Sequence, residues 1–164
     1  MPEINPIRET DDEARALGRS LIDTARHGAL GVRRPDTGLP EVTRVGVATT
    51  PDGQPLTLVS ALSSHTVALR ADPACSLLVG EPGPRGDPLT HPRITLSCEA
   101  AFTEHGTDAY AALRAHYLTI HPKAQLYIDF TDFAFATLTV RSAALNGGFG
   151  KAFHLTPADL GLPG

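Results

Sequence analysis

The chain has 164 residues, 41% apolar and 20% charged, with a formal net charge of −4. That balance describes one globular domain spanning 1–164, large enough for a real core. It speaks against a nucleic-acid partner, and against a membrane partner too, since no apolar run nears the roughly 20 residues of a spanning helix.

The opening residues, MPEINPIRETDDEA, lack a basic-then-apolar leader pattern, so the expected location is the cytoplasm. A helical segment is predicted over about 10–27. Thr10 and Glu13 have capping-box spacing, and Ala14, Leu17, Leu21, Ile22 and Ala25 share one face. Gly28 reads as the stop. ALGVRR, EVTRVGVATT and QPLTLVS follow as strands separated by PDTG and TPDG turns, which predicts a three-strand meander. Ser60 to Pro73 leaves the third strand through a hydroxyl-rich turn into a short helix, and ACSLLVGE is the next strand. After the loop PGPRGDPLTHP come the long strand RITLSCEAAFTEH and a second full helix, TDAYAALRAHYLTIHP. Tyr110, Leu113, Tyr117 and Ile120 form its apolar face. The last strands are interrupted at Asn146-Gly147-Gly148. The 15 Gly and 14 Pro cluster between the apolar runs, as turns of a β protein do. The sum is α+β, an antiparallel barrel of about six strands with flanking helices. Cys75 and Cys98 lie far apart in sequence, without a C-x-x-C spacing, and read as buried reduced thiols.

Three places carry candidate chemistry. Arg44 sits mid-strand with Val42, Gly46 and Ala48 on its face. There it reads either as an anion partner beside a flat ligand, with Gly46 admitting close approach, or as a solvent-facing arginine on an edge strand. In the Ser60–Thr66 turn, Ser64 is expected to cap the short helix while His65 and Thr66 offer donors to a phosphate; a capped turn without a ligand is the alternative. The turn lacks the spaced glycines of a P-loop or dinucleotide fingerprint. Arg93 opens the long fifth strand, on the third consecutive β element. The bend ending in Lys151 reads as a close approach to a ligand or as a simple strand connection. The seven histidines show no metal-ligand spacing, and no G-x-S-x-G is present.

RVGVATTPDGQPLTLVSALSSHTVALRADPACSLLVGEP, DPLTHPRITLSCEA and YLTIHPKAQLYIDFTDFA, in this order and followed by NGGFGKA, resemble the FMN-binding split-barrel family related to pyridoxamine 5′-phosphate oxidase. The likeness is closest to its haem-utilisation branch. The resemblance implies a six-stranded antiparallel split barrel and a homodimer with two FMN sites in the subunit interface. It implies that Arg44 reaches the FMN phosphate, that Val45, Gly46 and Val47 lie along the flavin, and that Val59, Ser60, His65 and Thr66 supply further contacts. Arg93 would reach the partner's flavin. Where the family usually has a basic pair, this chain has His65-Thr66, a weaker or differently made phosphate grip.

The oxidase itself grips its substrate's phosphate with a tyrosine, an arginine and a serine. Tyr117 matches the first, but His121 and Gln125 stand in the other two places, and GGFGKAF replaces the oxidase's C-terminal arginine–histidine motif. Pyridoxamine phosphate is therefore not the expected substrate. Haem-degrading members carry a C-terminal extension with a haem-ligating histidine; here His154 is the nearest candidate. The expectation is an FMN-dependent oxidoreductase of unknown small-molecule substrate. The alternatives are a flavin- or haem-binding module without turnover, and haem breakdown.

Overall fold

In the computed structural model, which describes residues 4–164, a two-residue strand β1 (Ile7–Arg8) precedes helix α1 (Asp12–Thr24). Asp11, not Thr10, is its N-cap: the carboxylate accepts the Ala14 N–H at 2.8 Å. The Thr10 hydroxyl instead donates to the His154 carbonyl at 2.9 Å, tying the helix start to the last strand. Asp12 and Glu13 then sit in the first turn, where the helix dipole favours acids. Gly28 is not the stop. It lies inside the next strand, where a Cβ would stand 2.9 Å from the Leu78 carbonyl, so its bareness lets two strands approach.

The strands that follow are β2 (His27–Arg33), β3 (Pro40–Gly46), β4 (Ala48–Thr49) and β5 (Pro55–Ser60). Helix α2 (Ser64–Ala71) leads to β6 (Ala74–Val79) and β7 (Arg93–Thr103). Helix α3 (Asp108–Ile120) precedes β8 (Phe133–Asn146) and β9 (Ala152–Leu155). The nine strands among the described residues form one sheet, in the order β1-β9-β8-β7-β6-β2-β3, with β5 pairing both β4 and β8. The expected count of six is replaced by nine because short pieces of two and four residues add to the longer strands. Every pairing is antiparallel except β1 with β9.

The predicted meander does not form. β5 does not pair with β3; it crosses to β8, with Val59 opposite Ala134 and Ser60 opposite Phe133. β3 and β5 stay close without a ladder between them, and this gap is the split of the barrel.

The buried face follows from alternation along the strands. Leu30, Leu77, Leu96, Leu145 and Leu155 point into one core, where α1 adds Ala14 and Ile22. A second cluster lies under α3, where the Tyr110 and Tyr117 rings pack 4.9 and 5.4 Å from that of Phe135. Cys75 and Cys98 are free, buried and directly opposite each other across β6 and β7. Burial pushes the Cys75 thiol up to about 11 and raises that of Cys98 as well.

Candidate functional site

The split gathers most of the predicted residues. β3 brings Arg44 to Gly46, with Val47 just beyond it; β5 ends at Val59 and Ser60; and α2 begins at Ser64. Thr43 Oγ1 lies 3.1 Å from His65 Nδ1 and links strand to helix. Ser63 occupies the N-cap position without a side-chain capping bond. The expected cap, Ser64, is the first helical residue and donates its hydroxyl to Glu41 Oε1 at 2.5 Å. Backbone carbonyls already take the N–H groups of Ser63, Thr66 and Val67. The N–H groups of Ser64 and His65 therefore remain as the open donors of the first turn.

An acid already stands at that helix start. Glu41 Oε2 is 3.6 Å from Arg34 Nη1, and the same guanidinium also holds Asp36 at 2.8 Å. Burial holds the His65 imidazole below its ordinary value, with the Glu41 charge partly opposing. His65 is accordingly neutral at pH 7.

Alternation along β3 separates two residues that the sequence reading joins. Thr43 faces α2, whereas Arg44 points to the other side with Val42 and is exposed. A ligand touching both Arg44 and the α2 start must straddle the open edge of β3.

The remaining predicted positions have other partners. Val45 and Val47 are buried in the main core; the Val47 N–H donates to the Arg26 carbonyl, and its own carbonyl lies 2.7 Å from His121 Nε2. The space beside Gly46 is taken by Tyr117: a Cβ at 46 would sit 3.0 Å from the Tyr117 hydroxyl. Ala48 does not share the exposed face of Arg44 but is buried in the second cluster. Val59 is core, and Ser60 donates to Asp132 Oδ2 at 2.6 Å. Thr66 is 2% exposed, and its hydroxyl is buried without a partner among the described residues, so it is closed to an outside ligand. Arg93 turns back on its own loop, 2.9 Å from the Leu89 carbonyl. Lys151 lies away from the split, lining a cavity of about 180 Å³ with Arg8, Asp11 and Phe153.

The residues standing where the oxidase binds its substrate are also committed. Tyr117 is 2% exposed and stacks on His121 at 4.8 Å. Gln125 is exposed beside Asp129. Near them Arg26, His121, Lys123 and Tyr127 line a cavity of about 350 Å³.

A feature the sequence reading missed is the exposed face of the sheet. Register places Arg44, Ala29, Leu78, Thr95, Ala144 and His154 in one continuous row across six strands. A second row runs Val42, Gly31, Ser76, Ser97 and Ser142. Between Arg44 and His154 these rows carry only small, apolar or hydroxyl side chains. Charges stand at the margins: Arg33, and the Glu99–Arg141 pair at 2.9 Å, beyond one end of the strands, and His27 and Arg93 at the other.

A model of the family described as "CREG, beta-barrel" matches residues 9–160. The chain is 38% identical over 117 residues to the "Non-canonical heme oxygenase HOZ, chloroplastic" of Arabidopsis thaliana, a match covering 71% of this chain and 34% of that protein. It thus spans about a third of that relative's length. The solved heme binding protein from Mycobacterium smegmatis superposes with a TM-score of 0.79 at 27% identity, over 94% of this chain and 62% of that one. A Clostridium acetobutylicum protein of the pyridoxinephosphate oxidase family, related to general stress protein 26, shares the fold. Its TM-score is 0.67 at 12% identity, over 92% of this chain and 99% of that one. Among the described residues no helix is long and apolar enough to cross a membrane.

Proposed function

Because this chain belongs to the CREG β-barrel family, we propose that it is a haem-binding protein that works as a homodimer, with each haem held between subunits beside the split of the barrel. The observation that carries this reading is Glu41 at the start of α2. A phosphate dianion placed there meets a carboxylate, a neutral His65, the Arg34 guanidinium already shared by Glu41 and Asp36, and the exposed Arg44 guanidinium on the far side of β3. Haem presents singly charged propionates at one edge of an apolar plane, which asks for less cationic charge and more flat, uncharged surface. Arg44 supplies the cation and the open donors of the α2 start supply hydrogen bonds. The exposed sheet face supplies the surface. The names of the Arabidopsis and Mycobacterium relatives point the same way.

The homodimer rests on that same face. An uncharged patch with charges only at its margins has the layout of an interface, and two-fold pairing is the commonest assembly. Two free cysteines fit a reducing setting such as the cytoplasm.

The second reading is an FMN-dependent oxidoreductase, favoured by the exposed Arg44 in the strand where the resemblance puts the phosphate partner. On this reading pyridoxamine phosphate remains unexpected as substrate: the closing-off of Tyr117 beneath Gly46 and the tie of His121 to the Val47 carbonyl support that. Bound haem or flavin would supply the electron chemistry, and the protein the binding, orientation and access.

Titration of the purified protein with haem and, separately, with FMN tests the choice. A saturable Soret shift at one haem per chain, lost in Arg44→Ala, is expected. Tight FMN uptake without a Soret shift transfers the assignment to the flavin reading, and no uptake of either overturns both. Decay of the Soret band when a reductant is added in air marks haem breakdown; a stable reduced spectrum marks a carrier.

A further inference from the structure

We infer that Cys75 and Cys98 form a redox-sensitive clasp: a peroxide, reacting first at Cys75, joins the two thiols into one disulfide across β6 and β7, and a thiol reductant opens it. Neither residue belongs to the site beside the split, so the clasp stands apart from the haem reading.

The geometry comes from register. Cys75 and Cys98 are the chain's two cysteines, both free and both turned into the main core. They stand directly opposite each other on neighbouring strands. The Ala100 N–H donates to the Pro73 carbonyl at 2.8 Å, which marks 73–100 as a hydrogen-bonded pair of the ladder. Two residues on, Cys75–Cys98 is a pair of the same type. Its Cα atoms are then about 5.5 Å apart, within the span that a disulfide bridges. Cβ atoms of such facing pairs lie about 4.5–5.5 Å apart and a disulfide needs about 3.5–4.5 Å, so closure draws the strands together by about 1 Å. The ladder can yield there. The register of β7 against β8 shifts between Ser97 and Cys98, with Arg141 as the extra residue, so β7 is less firmly held on its other side beside the thiol. A bond closed under such tension is readily reduced, which makes the clasp reversible.

Access comes from the start of β6. Cys75 is the second residue of that strand, 9% exposed against 4% for Cys98. Pro73 brings no N–H to the ladder, and the Ala74 N–H is taken by the Asp72 carboxylate at 3.0 Å. Few bonds therefore hold the strand start to β7, and it opens locally before the rest of the sheet. Burial raises both thiols above their ordinary value, Cys98 further than Cys75, so the closed pair ignores weak oxidants and Cys75 reacts first. Its sulfur attacks one peroxide oxygen; the O–O bond breaks, leaving a sulfenic acid and water. The Cys98 sulfur then attacks the Cys75 sulfur. The S–S bond forms, the S–O bond breaks, and the oxygen leaves as a second water with the Cys98 proton. The two thiols lose two electrons and the peroxide gains them. Opening runs by thiol–disulfide exchange with a dithiol, which is itself oxidised.

Graded hydrogen peroxide, followed by alkylation in denaturant and tryptic digestion without reductant, tests the clasp. Cleavage after Arg70, Arg85, Arg93 and Arg114 puts the cysteines on separate peptides, 71–85 and 94–114. A monomer lighter by two hydrogens, with these peptides joined and both thiols restored by dithiothreitol, is expected. Sulfinic acid without joined peptides, disulfide only between chains, or two intact thiols at doses that fully oxidise free glutathione overturns the proposal. Hydrogen exchange checks that the bond closes in the native register. Amides 74–78 should exchange about tenfold more slowly in the oxidised protein, because the strand start is fastened; unchanged or faster exchange overturns the clasp. Single variants check the order of attack. Dimedone should trap a sulfenic acid at Cys75 in Cys98→Ala and about fivefold less at Cys98 in Cys75→Ala. Equal or reversed labelling overturns the route through β6.

Discussion

The Tyr117 hydroxyl fills the space where a side chain on residue 46 would begin: a Cβ there would stand 3.0 Å from it. The glycine in the arginine-bearing strand thus serves the packing of α3 against β3. A ligand near Arg44 approaches past this pair, not into a hollow at Gly46.

That contact predicts a graded response at position 46. Alanine gains strand propensity and needs a shift of only tenths of an ångström, so the two effects nearly cancel. Valine forces Tyr117 aside and should cost about 1–3 kcal/mol. Thermal melts should show Gly46→Val lowered by roughly 2–12 °C. Adding Tyr117→Phe should recover most of that loss, because it removes the crowding oxygen. Equal losses in the presence and absence of the hydroxyl would place the strain elsewhere.

His65 predicts the pH response of the fold. Burial lowers its pKa in the folded protein, so between that value and about 6.5 the unfolded chain binds the proton and the folded chain does not. Stability is therefore complete above about 6.5 and falls as the pH drops through that value toward the folded pKa. Urea midpoints measured from pH 7.5 down to 5 should decline. His65→Gln should flatten that part of the curve; an unchanged slope in the variant would assign the decline to other groups.

Glu41 predicts the charge preference of the α2 start. Its carboxylate bonds Ser64 where an anionic ligand group is expected. Glu41→Gln keeps a hydrogen-bond acceptor and removes the charge. It should tighten binding of a propionate- or phosphate-bearing ligand by about three- to tenfold, a gain of roughly 1 kcal/mol at a partly exposed helix terminus. The gain should shrink with added salt. Isothermal titration at low and high ionic strength reads both effects, and weaker binding in Glu41→Gln would show the acid to be part of the grip.

Much of this architecture is legible in the sequence because strands and helices declare themselves by period. The α1 and α3 faces, the long seventh strand and the break at Asn146-Gly147-Gly148 all appear where alternation or helical spacing puts them. Pairing is not local, and there the reading fails. Nothing in TPDG says that β5 leaves β3 for β8, because the pairing is decided by core packing across the barrel. The candidate site divides the same way. The strand and turn that bear it stand out by composition. Glu41 escaped notice because its partner Ser64 lies 23 residues on. The alternation Glu41-Thr43 was the available signal, since it puts both on the side of β3 away from Arg44. The row from Arg44 to His154 needs five registers at once and no single stretch carries it.

His116 within α3 and His121 at its C-cap have a structural task that can be measured. His116 Nε2 lies 2.7 Å from the Thr49 carbonyl, and His121 Nε2 lies 2.7 Å from the Val47 carbonyl. Together they hold α3 to the chain reversal at β4, where the strand bearing Arg44 ends. Each bond satisfies a carbonyl that the sheet leaves unpaired, so removing either imidazole should cost about 1–2 kcal/mol. The second loss should be smaller once the first has freed the bend, because the two act on one short segment. His121 also stacks on Tyr117, so His121→Ala should weaken the fold more than His116→Ala. Hydrogen exchange should show faster opening of the 46–50 amides in His121→Ala, and ligand affinity should fall with it if this bend positions Arg44. Unchanged exchange at 46–50 would mean that the bend holds without the imidazole.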